Sequence, residues 1–266
     1  MPPASPPVTK SAAAAALLAR YAQVPPVLGS SYATVRDFCD SVDHLPQIAP
    51  LDGDLKNVQR PWAAKNVLGA APPPARLLEI GGGEPIVSGF LADLGYDVTI
   101  VDPYDGAGNG PLEFDAYRQR FPKVKLVRDY LSSGIRSLPH QQFDIVFSIS
   151  VLEHIPAEPL ASCFAAIQEH LAPNGWSIHC FDFIAAGAGA EYDIHQAERI
   201  LIHQAQLSAT APGPSIAELI AAFRSDLETF YLSPQGHHWW RGGQPYDAFP
   251  FRQVVSLQTV ARRPAG

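Results

Sequence analysis

The chain has 266 residues, 47% of them hydrophobic and 17% charged, with a formal net charge of -7. This composition excludes a disordered chain and suits a packed core large enough for an α/β domain with additions. The acidity argues against a nucleic-acid partner, which would select a basic stripe to replace phosphate counterions.

Cys39, Cys163 and Cys180 form no C-x-x-C pair and are odd in number, so neither a disulfide framework nor a metal or redox site is expected, and the reducing cytoplasm is the natural setting. The apolar run Ala12 to Ala19 stops at Arg20, well short of the roughly 20 residues of a membrane span, so no membrane partner is expected.

In chain order, residues 1–10 carry four prolines and read as a disordered lead. Residues 11–74 read as an N-terminal helical cap and linker. Alanine propensity predicts a helix over Ala12–Tyr21, and Val35–Val42 is a second. Pro61 suits the first turn of a third helix running through Trp62 to Leu68. The stretch Asp52 to Trp62 could cover the site as a lid, with Lys56, Arg60 and Trp62 available to a carboxylate, or Trp62 could pack its helix and leave the charges solvated. Ala71-Pro72-Pro73-Pro74 is a stiff linker.

From residue 75 to 266 the pattern becomes one domain, with substrate-side insertions after 183. Leu77–Ile80, Val98–Val101, Val124–Val127, Phe143–Ile149 and Trp176–Phe181 read as buried strands. Helical stretches alternate with them: one ends near Leu94, one spans Leu112–Arg120 and one spans Pro159–Leu171. Such alternation predicts right-handed crossovers and a mainly parallel, doubly wound Rossmann-like sheet. Glu191–Leu207 and Ile216–Phe223 follow as helices. Leu227–Leu232 and Val254–Val260 are C-terminal strand additions, separated by a glycine- and aromatic-rich loop.

The chemistry concentrates at strand ends. Leu77-Leu78-Glu79-Ile80-Gly81-Gly82-Gly83-Glu84-Pro85 runs a strand into three glycines and a helix start. Glycines admit a ligand close to the backbone, and free N–H groups at the helix start favour an anionic end. A dinucleotide fingerprint would put its last glycine at Ile86, and Glu79 suits a cation better than a pyrophosphate. Asp102 ends the second strand about twenty residues on, where a carboxylate accepts both hydrogens of a ribose diol in either cofactor class.

With Lys125-Leu126-Val127-Arg128-Asp129, Phe143-Asp144-Ile145-Val146-Phe147-Ser148-Ile149-Ser150-Val151-Leu152-Glu153-His154-Ile155-Pro156 and Leu171-Ala172-Pro173-Asn174-Gly175, these motifs stand in an order that resembles class I S-adenosylmethionine-dependent methyltransferases. The likeness covers about Arg76 to Asp182, and Asn174 and Trp176 replace frequent glycines. It implies S-adenosylmethionine as cofactor. Gly81, Gly82 and Gly83, with Glu79 nearby, would pass under its methionine part. Asp102 would hold the ribose and Asp129 the adenine amino group, with Arg128 as a competing partner for Asp129. Ser148 and Ser150 would floor the site near the sulfonium.

Methyl transfer to oxygen needs a base, and Asp182, His154 and His179 are the candidates; 179 and 182 should face opposite sides of a regular strand. His237, His238, Trp239, Trp240 and Arg241 could stack on and pair with a small-molecule or glycan-like acceptor, or serve packing. Adjacent histidines diverge and no third ligand is evident, so no metal is expected. A nicotinamide-dependent oxidoreductase and a non-catalytic cofactor-fold protein are the competing readings.

Overall fold

The computed structural model describes residues 11–107, 110–138, 142–208 and 213–265. The lead expected over residues 1–10 lies outside them. The strands are β1 (Gly29–Tyr32), β2 (Arg76–Ile80), β3 (Asp97–Asp102), β4 (Lys125–Arg128), β5 (Phe143–Ile149), β6 (Leu171–Ala186) and β7 (Gln253–Arg262). The helices are α1 (Ser11–Tyr21), α2 (Val35–His44), α3 (Lys56–Ala70), α4 (Ile86–Asp93), α5 (Phe114–Arg120), α6 (Ala157–His170), α7 (Ala190–Gln206), α8 (Ile216–Ser225) and α9 (Pro234–Trp240).

The strands form one sheet in the order β1-β7-β6-β5-β2-β3-β4. Strands β2 to β6 are parallel, as the alternating pattern predicts, while β7 runs antiparallel to β6 and β1 antiparallel to β7. Near-continuous apolar runs in β2, β3 and β5 reflect burial on both faces. Leu78, Val146 and Phe181 face a core shared with α6, α7 and α8. Leu77, Phe147 and Ile178 face the opposite core with α1, α3 and α4.

The N-terminal region is built into this fold. Its strand β1 pairs with β7, from Gly29 opposite Val260 to Tyr32 opposite Leu257. Tyr21, Trp62 and Val67 are buried in the same cluster as Leu77 and Phe147. Trp62 is therefore a packing residue, and 52–62 is a turn and helix rather than a free lid. Helix α3 begins earlier than expected, where the Asp54 carboxylate accepts the Lys56 N–H at 2.8 Å, so Pro61 stands inside the helix.

Three other expectations need correction. Trp176–Phe181 is only the middle of β6, which continues to Ala186. Its start carries an irregularity: Phe143 pairs with Leu171 but Ile145 with Trp176, and Asn174 takes φ +62° in the expected turn. Leu227–Leu232 forms isolated bridges through Thr229 and Tyr231 instead of a strand. The Asp226 carboxylate accepts the Glu228 N–H and Thr229 Oγ1 donates to the Phe223 carbonyl, so local turn chemistry competes with a ladder. The loop expected around Gly236 begins as helix α9, capped by Ser233 Oγ accepting from the Gly236 N–H, with Pro234 in its first turn.

Phe147 lies fully buried on the central strand. Phe147→Ala should cost about 3–5 kcal/mol of stability in urea denaturation, by lost burial plus a cavity. Replacing the wholly exposed Leu227 by Ala should change it by less than about 0.5 kcal/mol.

Candidate functional site

The parallel strand order reverses between β2 and β5, and a cleft of about 710 Å³ opens at their carboxyl ends. This is where open α/β sheets gather ligands. The glycine turn follows β2. Gly81 and Gly83 take φ +62° and +49°, which L side chains rarely adopt. A Cβ on Gly81 would meet Val151 at 2.6 Å, and one on Gly82 would meet Ile100 at 2.9 Å. Gly81 and Gly83 line the cleft. The Gly81 N–H is spent on the Val101 carbonyl at 2.8 Å and that of Gly83 on Asp102 Oδ2 at 3.0 Å. The turn is thus shaped by its own bonds more than by free amides.

Asp102 closes the far side. Its Oδ1 accepts the Tyr104 N–H at 2.8 Å, and Tyr104 Oη donates to the Gly83 carbonyl at 3.1 Å. Burial raises the Asp102 pKa, opposed by its two backbone hydrogen bonds. Each carboxylate oxygen has capacity for another bond. Asp129 also lines the cleft, bound by its neighbour's amide (Tyr130 N–H, 2.8 Å) and by Ser137 Oγ at 2.7 Å. Arg128 does not pair with it: the guanidinium donates to the carbonyls of Pro103 and Tyr104.

Glu79 is 4% exposed and lies behind the turn, accepting from Ser88 Oγ. Burial pushes its carboxyl up to about 8, against the pull of Ser88 and Arg60. The Arg60 guanidinium makes no hydrogen bond or ion pair among the described residues, although Glu84, Asp54, Asp52 and Glu79 lie within its electrostatic reach; burial lowers its pKa.

At the end of β5 the two serines part company. Ser148 points into the α6–α7 face, fully buried, with Oγ 2.7 Å from His179 Nδ1. The other ring nitrogen of His179 meets Ser177 Oγ at 2.8 Å, and burial drives the histidine down to about 3. His179 and Ser148 therefore belong to the core and do not reach the cleft. Simple alternation would send Ser150 the same way, but its φ of +52° turns it out to the cleft. There Ser150 Oγ is 2.7 Å from Asp182 Oδ1 and 2.9 Å from Gln59 Oε1, while Gln59 Nε2 donates to the same Asp182 oxygen at 2.7 Å. Asp182 lies on the α3 face, opposite His179.

The turn after Ser150 is a single helical turn, Leu152–His154, held by Gln196 Nε2 of α7 donating to the carbonyls of Leu152 and Ile155 at 3.0 and 2.6 Å. It sends Glu153 inward and His154 to the cleft. Glu153 Oε1 accepts the Asp182 N–H at 2.9 Å, whereas Oε2 is buried without a partner. Burial, then Asp182, lifts the Glu153 carboxyl to about 8. His154 is half-exposed, and burial holds it below the usual imidazole range.

None of His237, His238, Trp239, Trp240 and Arg241 lines the cleft. Helix α9 packs on the turn before α3: Trp240 Nε1 donates to Asp54, and Ser233 Oγ to the Gly53 carbonyl at 2.9 Å. Trp239 and His238 face outward. Gln59, Ser88, Tyr104 and Gln196 organise the site without any sequence motif to flag them. Among the described residues no His, Cys, Asp or Glu group is arranged to hold a metal ion, and no helix is long and apolar enough to cross a membrane.

A family model described as a methyltransferase domain matches residues 55–226 of this chain. The chain belongs to that methyltransferase-domain family. Two uncharacterised proteins of Mycobacterium tuberculosis are each 35% identical to this chain over 104 residues, covering 36% of this chain and 32% of theirs. A ubiquinone biosynthesis O-methyltransferase of Cereibacter sphaeroides is 34% identical over 102 residues, 38% of each chain. The matched part thus spans about a third of the length of these curated relatives. Among solved structures, a TehB-like S-adenosylmethionine-dependent methyltransferase of Corynebacterium glutamicum is 19% identical, covering 85% of this chain and 97% of that one at a TM-score of 0.42. Phosphoethanolamine N-methyltransferase 2 of Haemonchus contortus, solved with S-adenosyl-L-methionine, is 16% identical over 87% of this chain and 60% of that one, with a TM-score of 0.46.

Two buried carboxyls of the methyltransferase domain, Glu79 and Glu153, make its stability pH-dependent. Glu79 and Glu153 keep their protons to about 8 when folded, against an ordinary value of 4.5. Between those values the folded chain binds more protons than the unfolded one, so stability falls as pH rises from about 4.5 to about 8. Glu153→Gln should flatten that fall in urea titrations across the window; an unchanged slope would show that Glu153 ionises normally.

Proposed function

We propose that the chain transfers a methyl group from S-adenosylmethionine to an oxygen of a small-molecule or glycan-like acceptor, in the reducing cytoplasm. The observation that carries the cofactor reading is the closed Gly81–Gly83 and Asp102 turn beside Arg60, whose guanidinium makes no ion pair among the described residues. A ligand with an amino-acid end and a ribose fits that combination. Arg60 would take the carboxylate, Asp102 the ribose hydroxyls, and Asp129 with Leu131 and Ile155 the adenine.

S-adenosylmethionine supplies a methyl group already activated on a positive sulfur. What is asked of the chain is to hold the acceptor in line and receive its proton. Asp182 is our first choice of base. Ser150 and Gln59 fix its Oδ1, and Oδ2 carries no hydrogen bond among the described residues. His154, kept neutral by burial and open to the cleft, is the alternative. The oxygen preference draws support from these bases and from the relative named as an O-methyltransferase. Three unpaired thiols support the cytoplasmic setting.

Calorimetry tests the cofactor. S-adenosylmethionine should bind and NADH should not. Asp102→Ala and Arg60→Gln should each weaken S-adenosylmethionine about tenfold or more, as expected for losing a charge-assisted hydrogen bond. Binding of NADH alone would favour the oxidoreductase reading and overturn ours.

A further inference from the structure

The segment from α9 to the start of β7 holds polar groups that neither the cleft nor the Asp182 cluster uses. His237 is 5% exposed, and both its ring nitrogens are buried without a hydrogen-bond partner. The ring packs against Phe249 and Phe251, with centroids 5.5 and 4.9 Å away. Arg252 lies over the same Phe249 ring at 4.9 Å, and its Nε is likewise buried and unpartnered. Buried donors left unpaired are costly, so two of them beside one ring mark a place built for something that accepts hydrogen bonds.

The charges that act on His237 have one sign. The groups that act on His237 are Arg252 and Arg241, which with burial hold its imidazole below the usual range. A neutral imidazole still donates one N–H, and Arg252 adds a fixed positive charge. Among the described residues the Arg241 guanidinium bonds only to the Gln244 carbonyl and the His238 ring, and neither arginine has a carboxylate in ion-pair range. The acid that feels Arg252 is Asp193, whose Oδ2 is already occupied by the Ile184 N–H at 2.7 Å.

The position is also informative. Ile184 and Ala186 of β6 pair with Val254 and Gln253, and a Cβ on Gly187 would meet the Phe251 carbonyl at 2.9 Å. Arg252 thus stands at the carboxyl edge of the parallel sheet, four residues along the chain from Ser256, the partner of Asp182, or ~13 Å at the usual strand rise.

We propose that His237 and Arg252 form an anion subsite that binds a phosphate or carboxylate group of the methyl acceptor. The occupant's being the acceptor rests on the methyltransferase reading above; the subsite itself does not.

The test is nitrogen-detected NMR of the histidine rings in the full chain, titrated with inorganic phosphate and separately with acetate. Either anion should shift the His237 resonances saturably, and the tighter of the two assigns the source as phosphate or carboxylate. Arg252→Gln should raise the dissociation constant about tenfold or more, and Arg252→Lys, which keeps the charge but loses the fork, by less. No saturable shift with either anion would overturn the proposal, as would unchanged affinity in Arg252→Gln. A parallel titration of the unsubstituted chain with S-adenosylhomocysteine reads the cofactor assignment by itself, so either reading can fail without the other.

Discussion

The hydrogen bond from the Gly83 amide to the Asp102 carboxylate ties the turn after β2 to the end of its neighbour β3, beside the point where the sheet order reverses between β2 and β5. It commits a nearly buried acid to shaping a turn while leaving lone pairs for a ligand. Tyr104 doubles the connection, donating its amide to Asp102 and its hydroxyl to the Gly83 carbonyl. Because Gly81 sits against Val151 and Gly82 against Ile100, the turn has little freedom to relax. The cleft owes its form to this closure; Ser150 and His154 line it, and Asp182 is joined to it through Ser150.

A second constraint is desolvation. Glu79 and Glu153 lie buried at the same sheet edge, and burial is the main reason both hold their protons near neutrality. Removing charge in this way lets the edge pack against α3 and α7 without a run of buried carboxylates repelling one another. Asp182, partly exposed between them and the solvent, is held instead by hydrogen bonds from Ser150 and Gln59. The contrast between neutral buried acids and a hydrogen-bonded partly exposed one separates structural from chemical duty on a single edge.

Much of this was readable from the chain. Period and composition placed β2, β3, β5 and the helices between them, since strands buried on both faces leave near-continuous apolar runs such as Phe143–Ile149. The glycine turn and Asp102 were legible because their spacing is local. Three kinds of feature were not. Gln59 meets Ser150 and Asp182 across 91 and 123 residues, a contact no local pattern encodes. Ser150 escapes strand alternation through one positive φ, which also explains why Ser148 is buried while its neighbour two places on is not. Helix α9 did leave a signal in Ser233-Pro234, a cap followed by a first-turn proline, but the glycines and aromatics after it read as a loop.

The most direct test of the account is a crystal structure of the chain with S-adenosylhomocysteine. The ribose should lie on Asp102, the amino-acid carboxylate against Arg60 beside the glycine turn, and the adenine near Asp129. A ligand bound elsewhere, or a ribose that leaves Asp102 untouched, would contradict it.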